Sequence, residues 1–201
     1  GSEMCIRDRL NFLKAKEQIN LLEIGFGTGL NALLSYLVAQ RLKTKIVYYG
    51  VEKHPLSNTI IDLLNYPEQL NLTAEHEEVF RKMHALAWEQ EHVLSSHFKL
   101  RKQALDVLCQ PIIGAFDLVY FDAFGPRAQP EMWEIAVLEK IFDVMLPGAV
   151  LVTYCAKGAV KRTLKQIGFE LEALPGPPGK REMIRAKKCL TKDQIKANMA
   201  Q

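Results

Sequence analysis

Three glycines placed directly after an apolar segment constrain the fold of this chain most strongly. Residues 20–24 are mostly apolar and lead into Gly25, Gly27 and Gly29, and a helix-forming run begins at Leu30. A buried strand that turns sharply into a helix needs residues that tolerate a positive φ and leave room for a ligand. The following helix N-terminus presents free N–H groups above such a loop. We therefore predict a strand over 20–25, a helix over 29–41 and a ligand between them, although a glycine turn without a ligand remains open.

The spacing of these glycines separates two classes of nucleotide cofactor. Dinucleotide-binding loops favour G-x-G-x-x-G, whereas here the third glycine comes four residues after the first and Glu23 lies two before it. The pattern Glu-x-Gly-x-Gly-x-Gly resembles the first motif of class I methyltransferases, which bind S-adenosyl-L-methionine (SAM). A carboxylate suits the ammonium and sulfonium of SAM better than it suits a pyrophosphate. The resemblance implies cofactor contacts from Glu23, Gly25, Phe26, Gly27, Gly29 and Asn31.

Length and composition indicate one globular domain. The chain has 201 residues, of which 48% are hydrophobic and 24% are charged. We expect a lead-in over 1–19, opening with a possible tag remnant, then a methyltransferase domain over 20–190 and a flexible tail over 191–201. No apolar run approaches the roughly 20 residues that span a bilayer, so we expect no membrane segment and a cytoplasmic location. The four cysteines lie far apart, which favours reduced thiols over disulfides or a zinc site.

The charge is unevenly distributed along the chain. The net charge is +3, yet residues 151–201 contain eleven Lys or Arg and four acids. Such asymmetry suits a polyanionic partner, although ordinary solvated helix faces also contain lysines. Four histidines at 76, 84, 92 and 97 have no spacing that would place them on one helix turn, so we expect no metal.

Polar residues follow the predicted strands at their carboxyl ends, where parallel sheets bind ligands. Glu52 ends a strand over 46–51 and is predicted to accept hydrogen bonds from the ribose, with Lys53 beside it. A short strand over 98–100 leads to Gln103, which stands where many SAM enzymes have an adenine-binding acid, and Asp106 follows on the next turn. A strand over 116–122 ends at Asp122, where the reactive end of the cofactor is expected. A buried N-cap remains the alternative for Asp122.

The other predicted elements complete an α/β architecture. They are a helix over 57–65 capped by Ser57, helical periodicity within 66–97, a helix over 131–145 ended by Pro147 and Gly148, a strand over 149–154, a helix to about 167, and strands over 168–174 and 181–186. We predict a class I, Rossmann-like methyltransferase fold. Its sheet is expected to have seven mostly parallel strands, with a C-terminal antiparallel hairpin.

Five segments recur in order in a known family. They are E-I-G-F-G-T-G-L-N (23–31), V-E-K-H-P-L (51–56), Y-F-D-A-F-G-P with P-E-M-W (120–126 and 130–133), T-Y-C-A-K-G-A-V-K-R-x-L (153–164) and G-K-R-E-M (179–183). Together they resemble the methyltransferase part of the MnmC/MnmD type. That family methylates the amine of 5-aminomethyl-(2-thio)uridine at the tRNA wobble position. The resemblance implies a stand-alone SAM-dependent enzyme, with the anticodon loop of tRNA as its partner and a monomer expected.

The resemblance also implies roles for residues of the C-terminal half. Asp122 is expected to orient the amine and to contact the cofactor. Substrate contacts are expected from Phe124, Gly125, Pro126, Tyr154, Lys157, Lys180 and Arg181, with Lys161 and Arg162 as further phosphate contacts. Only 19 residues precede Asn20, fewer than the family usually has before the glycine motif. A non-catalytic SAM- or RNA-binding module therefore stays open. A small-molecule amine alkyltransferase is a second alternative, although the basic C-terminal third argues against the acidic pocket that it would need.

Overall fold

The computed structural model describes residues 16–176 and 182–189, which fall into two compact units divided after Asp106. The first unit contains four strands and four helices among these residues. They are β1 (Gln18–Ile24), α1 (Leu30–Leu42), β2 (Lys45–Glu52), α2 (Asn58–Ile61), α3 (Tyr66–Gln69), α4 (Ala74–Ala85), β3 (Glu91–Ser95) and β4 (Phe98–Ala104). Strand, glycine loop and helix follow one another as the first motif predicts.

The strands of the first unit are ordered β3-β4-β2-β1. β1 pairs with β2 and β2 with β4, all in parallel, and β3 runs antiparallel to β4. Leu21 and Leu22 of β1 are fully buried, as are Leu33 and Val38 of α1. Burial of this apolar surface fixes the carboxyl ends of β1, β2 and β4 along the same edge, where the predicted cofactor residues lie.

The second unit also contains four strands among its described residues. Its elements are β5 (Phe116–Phe121), a 3₁₀ turn (Pro130–Trp133), α5 (Ile135–Asp143), β6 (Met145–Thr153), α6 (Gly158–Ile167), β7 (Phe169–Pro175) and β8 (Glu182–Lys188). Their order is β5-β6-β8-β7, with β5 and β6 parallel. β8 is antiparallel to both β6 and β7, so the predicted C-terminal hairpin is present.

The structure contains one strand, β3, that the sequence did not predict. The described residues therefore form eight strands rather than seven. β3 lies within the segment that was expected to be helical. Its residues are exposed or half-buried throughout, because it is paired on one side only, by β4. The alternation that normally reveals a strand is therefore missing from its sequence. The helical periodicity of the same segment is confirmed only over α4.

The helix predicted over 57–65 is wrong in length. Ser57 is at its N-cap position without a side-chain cap bond, and α2 ends at Ile61 before the separate short helix α3 begins. Asparagine and β-branched residues make up α2, and these have low helix propensity. The polar segment between β2 and α4 is consequently built from short turns.

The helix predicted over 131–145 is also divided and ends early. Glu134 has extended backbone angles between the 3₁₀ turn and α5, and α5 ends at Asp143. Pro147 and Gly148 do not terminate a helix but lie inside β6, at a register shift of its pairing with β5. Such an irregularity is where a strand accepts a proline, which has no N–H to donate.

No helix of the described residues is long and apolar enough to span a bilayer. Within the same residues, Cys109, Cys155 and Cys189 are free thiols. No group of three or more His, Cys, Asp or Glu side chains in the described part of the chain has the geometry to hold a metal ion.

Candidate cofactor site

The glycine loop is held against the end of β2 by its own backbone. The N–H groups of Gly25 and Phe26 donate to the carbonyl of Val51, at 2.9 and 3.0 Å. The Gly29 N–H donates to the carbonyl of Phe26 at 2.9 Å and closes the turn into α1. These bonds satisfy backbone groups that the turn would otherwise leave without partners.

Gly27, at the centre of the loop, leaves room for a cofactor. Its φ is +50°, a left-handed conformation that disfavours a side chain. A Cβ built there would meet only the Gly25 carbonyl oxygen, at 3.8 Å, and otherwise open space. A ligand can therefore approach the backbone of this loop closely, as a SAM site requires.

Glu52 is oriented by two backbone N–H groups. Its Oε2 accepts from the N–H of Gly27 at 2.9 Å, and its Oε1 accepts from the N–H of His54 at 2.9 Å. Each carboxylate oxygen can accept a second hydrogen bond. Both oxygens therefore retain capacity to accept a further hydrogen bond at the end of β2.

Glu23 lies beneath the loop rather than at its mouth, and it is 1% exposed. Its Oε1 accepts from Asn31 Nδ2 and its Oε2 from the Tyr48 hydroxyl, both at 2.7 Å. Glu23 and Asn31, which are two of the residues predicted to contact the cofactor, are thus bonded to each other. Their bond joins the end of β1 to the first turn of α1 and shapes the loop.

The side chain of Phe26 also points away from the open face of the loop. It is 3% exposed and its ring contacts those of His84 and Trp88 edge-on, with centroids 6.0 and 6.1 Å away. The sequence pattern placed the residue correctly in the loop, but it did not indicate the direction of the ring.

Asp106 lies beside Lys53, whereas Gln103 lies inside a strand. Gln103 pairs with Val51 in the β2–β4 register, and β4 continues through Ala104. Asp106 follows the strand, and its Oδ2 is 2.9 Å from Lys53 Nζ. Because Lys53 directly follows Glu52, this ion pair places a second carboxylate at the edge of the sheet where Glu52 lies.

A buried lysine that the sequence analysis did not single out also lies under the glycine loop. Lys102 is 2% exposed, its Nζ donates to the carbonyl of His84 at 2.7 Å, and it lies 4.9 Å from the centre of the Trp88 ring. Burial lowers the pKa of Lys102 to about 8. A lysine at an inward position of a strand is the one sequence signal that could have revealed it.

In the second unit, Asp122 directly follows β5 and its side chain is exposed. The alternative of a buried N-cap is therefore excluded. Phe124 is 75% exposed, and a Cβ at Gly125 would meet nothing within 4 Å. Trp133 is buried against Phe121 and donates from Nε1 to the Phe124 carbonyl at 2.8 Å, so it anchors the loop from the core side.

The remaining predicted substrate residues lie around α6 and the hairpin. Pro126 and Tyr154 are half-buried, whereas Lys157 and Arg162 are exposed. Lys161 Nζ is 2.7 Å from Glu182 Oε1, so its charge is partly compensated. Lys180 and Arg181 lie outside the described residues.

Solved structures resemble this chain in fold. MnmC2 from Aquifex aeolicus has a TM-score of 0.70 and 19% identity, over 97% of this chain and 62% of that one. The N-methyltransferase NodS from Bradyrhizobium japonicum has a TM-score of 0.54 and 12% identity, over 94% and 97%. The molecule therefore has the predicted α/β fold of the class I SAM-dependent methyltransferases. A family model described as S-adenosyl-L-methionine-dependent methyltransferase matches residues 71–189. The chain belongs to this family, and its predicted cofactor class, SAM, is confirmed.

Curated relatives agree with the resemblance predicted from the motifs. The bifunctional tRNA 5-methylaminomethyl-2-thiouridine biosynthesis protein MnmC of Stutzerimonas stutzeri is 33% identical over 172 residues. The aligned region covers 81% of this chain and 26% of that protein, so the chain spans about a quarter of the length of this relative. The chain is thus similar to one part of a longer protein.

Proposed function

We propose that this chain transfers a methyl group from SAM to the primary amine of 5-aminomethyl-(2-thio)uridine at the tRNA wobble position. The similarity to MnmC over 81% of the chain is the observation that supports this assignment best. The loop after β5 agrees with it, because an exposed carboxylate and an exposed aromatic ring lie two residues apart there. A carboxylate can hold an amine, and an aromatic ring can stack on a base.

We assign the cofactor to the glycine loop and to the residues that follow β2 and β4. Glu52 accepts the ribose hydroxyls, and the open backbone at Gly27 allows close approach. Asp106 is the better acceptor for the adenine amino group than Gln103, because it follows β4 instead of lying within it. Glu23 contributes negative charge beneath a loop that receives a cationic ligand. When bound, SAM supplies a methyl group activated by its sulfonium.

Asp122 has the central role at the substrate amine. An alkylamine has a pKa near 10, so at neutral pH it is mostly protonated and cannot attack. Asp122 accepts hydrogen bonds from the neutral fraction of the amine and orients its lone pair toward the methyl group, and in the transition state it takes up the amine proton as a general base. Orientation of this kind can account for several kcal/mol of rate acceleration without a covalent intermediate. Tyr154 is proposed to assist from the end of β6.

The RNA contacts are assigned to exposed residues of the second unit. Phe124 stacks on the splayed wobble base, and Gly125 and Pro126 shape the loop around it. Lys157, at the N-cap of α6, and Arg162, on the solvent side of that helix, contact phosphates. Lys180 and Arg181 are proposed to extend this contact on sequence grounds alone. A cytoplasmic location remains a prediction.

The assignment is tested with tritiated SAM and tRNA from a strain that lacks the terminal methylation. We expect label in the tRNA, at the wobble nucleoside after digestion. Label in small amines but not in tRNA would favour an amine alkyltransferase. SAM binding without transfer to either substrate would favour a non-catalytic module, and both results would contradict the proposal.

A further inference from the structure

Thr28, in the middle of the glycine loop, is contacted by two residues that lie far away in the sequence. The Tyr66 hydroxyl donates to Thr28 Oγ1 at 3.1 Å. His84 Nε2 lies 3.2 Å from the Thr28 carbonyl oxygen. A carbonyl oxygen can only accept, so the bond requires the proton of His84 to be on Nε2. The loop is thus fixed at its side chain and at its backbone.

His84 is closely packed under the loop. A Cβ at Gly29, whose φ is +70°, would lie 3.1 Å from His84 Nε2. The Phe80 ring contacts the imidazole edge-on at 4.8 Å, and the Phe26 ring does so at 6.0 Å. Burial, followed by the nearby Lys102 cation, lowers the pKa of His84. The imidazole is therefore neutral at pH 7, with one proton available for Thr28.

These contacts join the loop to elements outside every motif of the sequence. Tyr66 begins α3 and His84 lies in the last turn of α4, so α3 and α4 both contact the same loop residue. Lys102 in turn holds the His84 carbonyl from β4. A loop that is ordered before binding loses less conformational entropy when the ligand arrives.

We propose that His84 and Tyr66 are positioning residues for the methyl donor, acting through Thr28 to pre-organise the glycine loop. The inference rests on the binding of SAM at this loop and is independent of the proposed tRNA substrate. Neither side chain needs to touch the cofactor. Their contribution is to affinity for SAM and not to the rate of methyl transfer.

Three variants separate this role from a general effect on folding. His84→Leu removes the donor and keeps an apolar side chain, and His84→Gln restores an N–H that can reach the Thr28 carbonyl. Tyr66→Phe removes one hydroxyl only. His76→Leu is the matched control, because His76 lies two turns earlier on α4 and bonds to Thr73. SAM affinity is measured by isothermal titration calorimetry, and the melting temperature is measured without SAM.

We expect Kd for SAM to rise about 5- to 10-fold in His84→Leu and Tyr66→Phe, the size of one lost hydrogen bond each. His84→Gln is expected to stay within about threefold of the wild type, and His76→Leu to match it. Where turnover is measured, KM for SAM should rise and kcat should hold.

Unchanged affinity in both His84→Leu and Tyr66→Phe would overturn the positioning role and leave the cofactor assignment intact. Equal losses of affinity and of melting temperature in His84→Leu and His84→Gln would indicate a purely structural residue. If the wild-type chain itself did not bind SAM, the proposal and the cofactor assignment would both fall.

Discussion

The glycine loop and the loop after β5 differ in how firmly each is attached to its own unit. Residues 25–29 are held by backbone bonds to Val51, by Glu52 and by the contacts to Thr28. Residues 122–129 are mostly exposed, and they are held by turn bonds from the N–H groups of Ala128 and Gln129 to the Gly125 carbonyl and by the Trp133 bond to the Phe124 carbonyl. A small cofactor of fixed shape favours a pre-formed loop, whereas a large RNA can itself order a more exposed one. The difference supports the proposal that the glycine loop binds SAM and that the loop after β5 contacts RNA.

The largest effect is expected at Asp122. Asp122→Asn removes the carboxylate that orients the amine and accepts its proton, so kcat should fall roughly 10²-fold or more. Affinity for SAM should change far less than kcat, because the contacts of the glycine loop are unchanged. Glu139→Gln, at an exposed position of α5, is the control for loss of one carboxylate. Wild-type turnover in Asp122→Asn would contradict the proposed role.

Glu52→Gln tests the cofactor loop. An amide can accept at only one atom, so the N–H of either Gly27 or His54 loses its acceptor and a ribose hydroxyl loses a charged partner. Kd for SAM should rise about 10- to 30-fold, measured by calorimetry. Glu75→Gln, at an exposed position of α4, is the control for loss of one carboxylate. Unchanged affinity in Glu52→Gln would remove the ribose assignment.

Phe124→Ala tests the exposed loop. If the ring stacks on a base, removing it should weaken RNA binding about 10-fold and leave SAM affinity unchanged. Ile113→Ala is a matched control, because Ile113 is also an apolar residue of the second unit. Ile113 is 80% exposed and Phe124 is 75% exposed. Binding to an anticodon stem-loop is followed by fluorescence anisotropy. An equal effect from both variants would indicate that stacking is not specific to Phe124.

Lys102→Met tests whether the lysine beneath the glycine loop is desolvated in the folded chain. The pKa of Lys102 is about 8 in the folded chain and near 10.5 when unfolded, so between these pH values the unfolded state binds more protons. The free energy of unfolding of the wild type should therefore rise between pH 8 and pH 10, by about 2 kcal/mol relative to Lys102→Met. Denaturant melts at pH 8 and pH 10 measure the difference. Parallel pH profiles would show that the lysine is not desolvated.

The smallest effect is expected on α6. Arg162→Gln should weaken tRNA binding two- to threefold and reduce the slope of log K against log salt by roughly 0.7 to 0.9, the value of one phosphate contact. Lys161→Gln should reduce the slope less, because Glu182 already compensates Lys161. The reverse order of the two variants would place the RNA on a different face.

Local patterns predicted the parts of the molecule that depend on neighbours in sequence. The strand–loop–helix unit at Gly25, the acceptor Glu52 and the exposed Asp122 all follow from a strand and the residues that end it. Long-range contacts determine the rest. The orientation of Phe26 depends on Trp88 and His84, the fixing of Thr28 depends on α3 and α4, and β3 depends on pairing with β4. None of these contacts has a spacing that can be recognised in the sequence.

The identity of the glycine loop as the cofactor site is tested most directly by titrating SAM into the ¹⁵N-labelled chain and following backbone amides by NMR. We predict that the chemical shifts of the Gly27 and His54 amides, which both donate to Glu52, change until SAM saturates the site. Saturation should occur at one equivalent of SAM. Binding that leaves these two amides unmoved, or no binding at all, would contradict the account.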